Sequence, residues 1–533
     1  MEHPSAGQDS PPQEEIFTLG RRGTIIFVAL AVLTLMVALD GTSISLALPA
    51  MSSELGGTTI EAYWSGTSFL LTSTVFQPTF ASLSNIFGRK SITFIALAVF
   101  LAGTVVASVS HNFTEMLIGR SIQGVGGGGL IALSEIILTD LAPLRVRGLY
   151  FGYLGAAWSI GSIIGPLLGG GFAQNVTWRW IFYINLPLIL ITAVLLFFYL
   201  KLEIPKDGLS RKLRHIDYYG TFLLVSSLTS TLIPLTWGGV QYPWGSWRTI
   251  VPLVLGIAGL VVFAWYECYM AKDPMIPQSV FQNRTTTIVY VCTIILGLLL
   301  WCLLYYLPLY YEAVHGYTPI ISSVAIFPET FTIGPITTIT ALVASITGHY
   351  IWAIWSGWML TVMGMGLLCL LDVDTAIQQW VFLNLVPGIG LGLLVTSMAC
   401  AVQASVTAEI LPIAVAMFSF FRGMGQVLGV AIGEAVFQNR MRVYLTNDGL
   451  PYADVELLSR TAVSAVGAIK ELHDETLKRT LRRAYTDSLR DVWIVCCAFA
   501  AVGLLLSFFV QSHSLNKRQN TCQSLRKDDT SEK

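Results

Sequence analysis

Apolar stretches of about twenty residues recur along nearly the whole chain, and this recurrence limits the possible fold more than any other feature. An α-helix needs about 20 mostly apolar residues to cross a bilayer. The sequence therefore predicts an all-α polytopic membrane protein and excludes a soluble enzyme, a disordered scaffold and a secreted disulfide-rich protein. The fourteen predicted transmembrane helices are 24–48, 61–84, 91–110, 114–140, 149–173, 178–200, 217–237, 249–271, 285–311, 318–346, 351–372, 377–402, 411–436 and 491–511.

The composition agrees with a chain that lies mostly in lipid. Of the 533 residues, 54% are hydrophobic and 12% are charged, about half the charged share of a soluble globular protein. Lys plus Arg number 31 and Asp plus Glu number 32, so no basic excess indicates a nucleic-acid partner. The eight cysteines and seven histidines show no metal-ligand spacing, and no G-x-x-x-x-G-K-S/T pattern occurs. We expect no metal and no cofactor.

The basic residues predict the orientation. Lys and Arg concentrate in the tails and in alternate short loops, whereas the short loops on the opposite side carry only Arg179 and Arg248. Short cytoplasmic loops are enriched in Lys and Arg, so we expect both termini in the cytoplasm. The predicted regions are a polar tail (1–23), a six-helix bundle (24–200), a linker with two inserted helices (201–284), a second six-helix bundle (285–511) with an external loop (437–490), and a tail (512–533). An amphipathic helix is predicted within the loop from Leu457, Leu458, Val463, Ile469, Leu472 and Leu477.

Six glycines indicate that the chain repeats itself. The shift that places Gly124 on Gly388 also superposes five further pairs of glycines. The residues Gly124, Gly126, Gly128, Gly161, Gly165 and Gly169 fall on Gly388, Gly390, Gly392, Gly425, Gly429 and Gly433. Paired six-helix halves are typical of secondary transporters, which bind their substrates between the halves. Residues 124–129 also match the dinucleotide pattern G-x-G-x-x-G, but no strand precedes them, so we reject that interpretation.

Glycines spaced four residues apart lie on one face of a helix and allow another backbone to approach closely. Gly161, Gly165 and Gly169 form such a face, and Pro166 can kink the same helix. The face serves either plain helix packing or a sliding or sealing contact between the halves.

Charged residues inside the apolar stretches are candidate functional groups, because each costs about 2.5–3.5 kcal/mol to insert. Asp40 lies ~24 Å from the cytoplasmic end of its predicted helix, and Arg120 lies ~9 Å from the external end of its own. Both residues therefore lie at a similar depth in the outer half of the membrane. They could form an ion pair or exchange a proton. Glu329 and Arg422 lie in the middle of other predicted helices. Glu135 and Glu434 lie nearer helix ends, where their side chains could reach water.

Several polar and aromatic residues could line a pocket for a bulky, mostly apolar ligand. The candidates are Gln123, Trp301, Tyr305 and Asn384. Asn112 and Asn175 begin glycosylation sequons in predicted external loops.

Five motifs resemble those of the major facilitator superfamily, in its fourteen-spanner drug:proton antiporter branch, over about residues 24–511. They are ALDGTSISLALP (38–49), LSNIFGRK (83–90, with Gly88, Arg89 and Lys90), GRSIQGVGGGG (119–129), GSIIGPLLGG (161–170) and WRWIFYINLP (178–187). The segments 328–335 and 353–368 are similar to fungal members that export toxins or other secondary metabolites. The sequence departs from the 83–90 motif, which usually has an acid where this chain has Asn85 and a basic residue where it has Ile86.

The resemblance implies two six-helix bundles with two inserted helices. It also implies a monomer in the plasma membrane, or alternatively the vacuolar membrane, that exports a hydrophobic small molecule in exchange for protons by alternating access. Asp40 would carry the proton and Arg120 would tune its affinity. A proton symporter or facilitator of the same fold, such as a siderophore importer, is the alternative. A non-transporting receptor is less well supported because it needs neither repeated halves nor an acid–base pair inside the membrane. A membrane enzyme is less well supported because no nucleophile–base pair or metal-ligand set appears in the sequence.

Overall fold

The computed structural model describes residues 19–44, 47–56, 59–201, 208–239, 241–448 and 473–515, together with positions 451, 455, 458 and 466. These residues are almost entirely α-helical and contain no named β-strand, which confirms the predicted all-α polytopic fold. The helices are α1 (Arg21–Ser43), α2 (Leu48–Leu55), α3 (Thr59–Phe87), α4 (Arg89–Ser108), α5 (Phe113–Leu141), α6 (Leu144–Asn175), α7 (Trp180–Tyr183), α8 (Asn185–Tyr199), α9 (Leu209–Arg214), α10 (Tyr218–Trp237), α11 (Trp247–Tyr269), α12 (Arg284–Ala313), α13 (Pro319–Ala325), α14 (Phe327–Thr347), α15 (Ile351–Leu368), α16 (Ile377–Ser405), α17 (Leu411–Asn447) and α18 (Glu475–Ser507).

Thirteen of the described helical segments are long and apolar enough to cross a membrane, with α7 and α8 counted as one. The remaining predicted span, α3, has 29 residues but is less apolar because polar side chains lie on its protein-facing side. Its buried polar residues include Ser65, Ser68, Ser73, Thr74 and Gln77. Large apolar side chains elsewhere are exposed on the outside of the bundle, as for Leu190, Phe198, Leu255 and Val261. This surface fits a lipid environment.

Helices α1–α8, here called the N-half, and α12–α18, called the C-half, pack in equivalent ways. In the N-half α1 packs on α6, α3 on α5 and α4 on α5, and in the C-half α12 packs on α17, α14 on α16 and α15 on α16. The repeated glycines lie at these contacts. A Cβ at Gly124 or Gly128 would collide with α3, and one at Gly388 or Gly392 would collide with α14. The repeat that the sequence shows therefore corresponds to the same helix contacts in both halves.

Two predicted helices are interrupted near a proline. The predicted helix 24–48 ends at Ser43, and α2 begins at Leu48 with Pro49 in its first turn. The predicted helix 318–346 is divided into α13 and α14, and Pro328 lies in the first turn of α14. Proline has no N–H to donate, so it is tolerated in a first turn and disfavoured in a helix interior.

The structure is helical at both ends of the predicted loop 437–490, so the two flanking helices are longer than predicted. Helix α17 continues to Asn447, and α18 begins at Glu475 rather than at residue 491. Polar contacts hold these extensions together: Asp491 accepts hydrogen bonds from Arg440 Nε at 2.7 Å and from the Tyr444 hydroxyl at 3.0 Å. Leu477 belongs to α18, and Leu458 is a described single position. The positions Leu457, Val463, Ile469 and Leu472 of the predicted amphipathic helix lie outside the described residues.

Candidate functional site

A cavity lies between the N-half and the C-half near the middle of the bundle. It contains about 1090 Å³ of space free of atoms, part of it open to solvent. Described residues of α1, α5, α6, α12, α14, α16 and α17 line it. The four predicted pocket residues lie on α5, α12 and α16, and the wall also includes α1, α6, α14 and α17. The rings of Trp158 and Trp301, one from each half, lie on its wall with centroids 6.4 Å apart.

An ion pair on the cavity wall joins the two halves. Glu135 of α5 accepts a hydrogen bond from Arg422 Nη2 of α17 at 2.6 Å, and the hydroxyl of Ser419 donates to its other oxygen. The Glu135 side chain is 10% exposed. This glutamate does not extend to the membrane surface at the nearby helix end, because its carboxylate lies on the cavity wall against the other half. Sequence patterns carry no signal for such a pair, since its members are far apart in the chain.

Glu329 of α14 also lines the cavity. Its residue surface is 2% exposed, and no described group forms a hydrogen bond with its carboxylate. Leaving a buried charge without a partner is costly, so such a carboxylate binds a proton or a cation. Glu135, Glu329 and Arg422 are the ionisable groups among the described lining residues.

Asp40 and Arg120 lie in a separate polar cluster inside the N-half. Arg120 Nη1 donates to Asp40 Oδ2 at 2.5 Å, and Gln123 Nε2 and Asn185 Nδ2 each donate to Asp40 Oδ1 at 2.8 Å. All four residues are at most 1% exposed. The similar depth that the sequence indicates for Asp40 and Arg120 therefore corresponds to a direct contact. Sequence reasoning missed Asn185, although it lies in the 178–187 motif.

Three of the four predicted pocket residues do not line the cavity. Gln123 is part of the Asp40 cluster. Asn384 is buried in the C-half, where its Nδ2 donates to the Tyr311 hydroxyl at 2.6 Å. Tyr305 directs its hydroxyl toward Gly66 of α3. Trp301 alone lies on the cavity wall. The helix face alone does not decide the difference, because Trp301 and Tyr305 are four positions apart and lie on the same face of α12.

The glycine faces pack within each half, so the interpretation of a sliding contact between the halves is wrong for them. Gly161, Gly165 and Gly169 of α6 lie against α1, beside Ala38, Thr42 and Ser43 respectively. The residues Gly425, Gly429 and Gly433 of α17 lie against α12 in the same way. Pro166 lies inside the same helix α6.

Other glycines form the close contacts between the halves. A Cβ at Gly152 of α6 would lie 2.9 Å from Ala341 Cβ of α14, and one at Gly334 of α14 would lie 3.2 Å from Ser159 Cβ of α6. Sequence reasoning missed both positions, although both are glycines inside apolar segments.

The LSNIFGRK motif (83–90) forms a polar network at one end of the bundle. Gly88 has φ +91, a conformation that favours glycine. Arg89 donates to Asn85 Oδ1 at 2.6 Å and to Asp140 Oδ2 at 3.2 Å. Lys90 Nζ donates to the Phe197 carbonyl at 2.7 Å. Asp140 therefore supplies the negative charge that Asn85 lacks.

The two predicted sequons lie on exposed helix ends. Asn112 caps α5, where its side-chain oxygen accepts a hydrogen bond from the Glu115 N–H at 2.9 Å. Asn175 is the last residue of α6 and donates to the Gly171 carbonyl at 3.0 Å. Among the described residues, no group of three or more His, Cys, Asp or Glu could hold a metal ion, and the cysteines there are free.

Two repeated helical halves with a cavity between them define a secondary-transporter fold. Residues 30–430 match the model of the Major Facilitator Superfamily. The MFS transporter L2 of a Phoma species is 48% identical over 97% of this chain and 86% of its own length. The efflux pump LUC4 of a Fusarium species is 37% identical over 99% of this chain and 94% of its own. The efflux pump FUS6 of Gibberella fujikuroi is 37% identical over 97% and 94%, respectively.

The fold comparison agrees with the relatives. The crystal structure of the human organic anion transporter MFSD10 (TETRAN) superposes with a TM-score of 0.59 at 13% identity, over 93% of this chain and 100% of that chain. The chain belongs to the Major Facilitator Superfamily. It is a multi-pass membrane transporter rather than an enzyme, as the motifs predict.

Proposed function

We propose that this chain exports a hydrophobic small molecule, such as a toxin, drug or secondary metabolite, in exchange for protons by alternating access. Two relatives that align over nearly the whole chain carry the name efflux pump. The observation that carries the proposal is the cavity between the halves, whose wall combines aromatic and aliphatic side chains with the carboxylate of Glu329, which has no hydrogen-bond partner among the described residues. Mostly apolar walls with a few polar groups suit a bulky apolar ligand.

Glu329 is the first candidate for the transported proton. Its carboxylate borders the cavity and has no hydrogen-bond partner among the described residues, so it can exchange a proton with water or cargo there. Asp40 is the second candidate, with Arg120 as its tuning partner. Because Arg120, Gln123 and Asn185 hold the Asp40 carboxylate, it would exchange a proton only after this cluster rearranges.

We further propose that the protein works as a monomer in the plasma membrane, with both termini in the cytoplasm. The concentration of Lys and Arg in alternate loops supports this orientation. The vacuolar membrane is the alternative location. Asn112 and Asn175 would then face outward, or the vacuole lumen, as candidate glycosylation sites.

Efflux of Nile red, a neutral apolar fluorophore, tests the proposal in cells that express the chain. We expect efflux that a protonophore abolishes and that is lost in Glu329→Gln. Glu409→Gln, an exposed loop glutamate, is the matched control and should retain efflux. Dye movement that is insensitive to the protonophore and only follows the dye gradient would favour a facilitator. Proton-driven accumulation would favour a symporter, and no movement by protein at the cell surface would contradict export of apolar cargo.

A further inference from the structure

We propose that Glu135 controls the separation of the two halves: a proton on Glu135 releases its ion pair with Arg422 and allows the cavity to open at this contact. The inference rests on the proposed proton coupling. It assigns a gating role to Glu135, apart from the transported proton on Glu329 or Asp40.

The hydrogen bonds of the Glu135 carboxylate cross from one half to the other. One oxygen accepts from Arg422 Nη2 at 2.6 Å, and the second accepts from the Ser419 hydroxyl. Ser419 and Arg422 are three positions apart on α17, so they present their donors from one face of that helix. No described group of the N-half holds this carboxylate. The halves therefore cannot separate here without breaking both bonds.

The Glu135–Arg422 pair lies between a packed apolar contact of the two halves and the cavity. On one side, Ala81, Ala132, Ile136 and Ala416 form a small buried cluster that joins α3 and α5 to α17. On the other side, Glu135 and Arg422 line the cavity. Ala132 and Ile136 flank Glu135 on α5, and Ala416 precedes Ser419 by three residues on α17. A proton that enters the cavity thus reaches Glu135, which lies where the cavity meets this apolar contact between the halves.

Protonation changes the strength of this contact for an electrostatic reason. The ionised carboxylate attracts the guanidinium and accepts two hydrogen bonds, and such charge-assisted bonds are about twice as strong as neutral ones. Separating the halves would leave a buried charge on each side, which is unfavourable. The proton moves from cavity water to a Glu135 oxygen, the carboxyl becomes neutral, and Arg422 keeps its charge. The released Arg422 shares the cavity with Glu329 of its own half, which can then act as its partner.

Other charged groups lie on the cavity wall and on the helices that surround α5. The other ionisable group of the cavity wall is Glu329 from α14. On the helices that pack around α5, Arg89 of α4 is paired with Asp140, and Asp40 of α1 is paired with Arg120. Arg147 of α6 donates to the carbonyls of Thr139 and Ala142.

Distance measurements in the full-length protein test the proposal without a substrate. Spin labels on Ser91→Cys of the N-half and Glu409→Cys of the C-half occupy exposed positions at the end where α5 ends and α17 begins. Cys268→Ser and Cys522→Ser remove the exposed thiol and the thiol of the tail. Double electron–electron resonance in lipid nanodiscs then reports the populations of short and long distances from pH 8 down to pH 4, a range that reaches the ordinary pKa of a glutamate carboxyl, about 4.3.

We expect the long-distance population of the wild type to grow as the pH falls. In Glu135→Gln the long-distance population should be raised at every pH, by about 5-fold or more, the lower bound of a typical coupling, and its pH dependence should disappear. Ser419→Ala keeps both charges and should give a smaller increase with the pH dependence retained. Glu434→Gln is the matched control, because Glu434 also lies on α17 but bonds to Gln438 of the same helix; it should behave as the wild type.

The proposal is overturned if Glu135→Gln keeps the wild-type distances or keeps their pH dependence. If Glu135→Gln fails to fold, Ser419→Ala decides the role of the contact, and an unchanged distribution in that variant overturns it. Failure of the proposed function looks different. Nile red efflux by the wild type would then be insensitive to the protonophore, whatever the distances show.

Discussion

Gly152→Val is expected to shift the transporter out of the conformation described here. Gly152 faces α14 of the other half, and a Cβ there would lie 2.9 Å from Ala341 Cβ and 3.2 Å from Thr338 Cα. Valine adds two further methyl groups, so α6 and α14 must move apart. Overpacking of this kind costs about 1–3 kcal/mol. Because the collision exists only where the two helices touch, this cost corresponds to a change of about 5–150-fold in the ratio of conformations.

Gly171→Val is the matched control. Gly171 lies on the same helix, and a Cβ there would meet nothing within 4 Å. Both substitutions replace glycine by valine inside α6, so they change helix propensity similarly. Only the contact with the other half differs between them.

The spin-label pair on Ser91 and Glu409 measures the effect. We expect the long-distance population to rise in Gly152→Val and to stay at the wild-type level in Gly171→Val, with Nile red efflux reduced only in the first. Equal distance distributions in the two variants would refute the reasoning. The contact between α6 and α14 would then persist through the transport cycle.

Three further predictions concern single contacts. Asp40→Asn leaves the buried Arg120 guanidinium without its carboxylate. We therefore expect thermal unfolding to show a free energy of unfolding lower by about 3–5 kcal/mol, together with a loss of proton-driven efflux. Unchanged proton coupling would remove Asp40 from the mechanism. Gly165→Leu would collide with Thr42 of α1 in the same half, so we expect less folded protein by size-exclusion chromatography, whereas a normal yield with full activity would contradict this packing. Hydrogen bonds from Arg179 and Trp178 lower the pKa of Glu54 below its ordinary value of 4.5. The thermal stability advantage of the wild type over Glu54→Gln should therefore be present at pH 7 and decline as the pH falls below that value and through the lowered pKa. An advantage that does not decline as the pH falls from 7 to 3 would exclude the ion pair as its source.

The number and nature of the helices could be predicted because apolar length is a local property. A run of about 20 apolar residues identifies a span wherever it packs. The prediction failed where a helix is held by something other than lipid. The extensions of α17 and α18 are polar and are joined by Asp491, Arg440 and Tyr444, and the break after α1 lies near Pro49.

The candidate site was accessible to sequence reasoning only in part. Charges inside apolar segments identified Asp40, Arg120, Glu329 and Arg422 as residues with unusual surroundings. The structure places Asp40 and Arg120 in direct contact and Arg422 on the cavity wall. It also shows the partner that sequence could not provide, Glu135, which lies on the other half of the molecule.

The sequence by itself determined that the chain spans a membrane many times, and it determined the helical fold, the repeat of the two halves and the superfamily. Those properties follow from composition, helical periodicity and spacing along a single segment. Only the tertiary structure decided that the glycine faces pack within each half, that Gln123 and Asn384 lie away from the cavity, and that Glu135 bridges to Arg422. The physical reason is that the direction of a side chain depends on how distant helices rotate and pack against one another. Hydrophobic length and local spacing carry no information about that rotation.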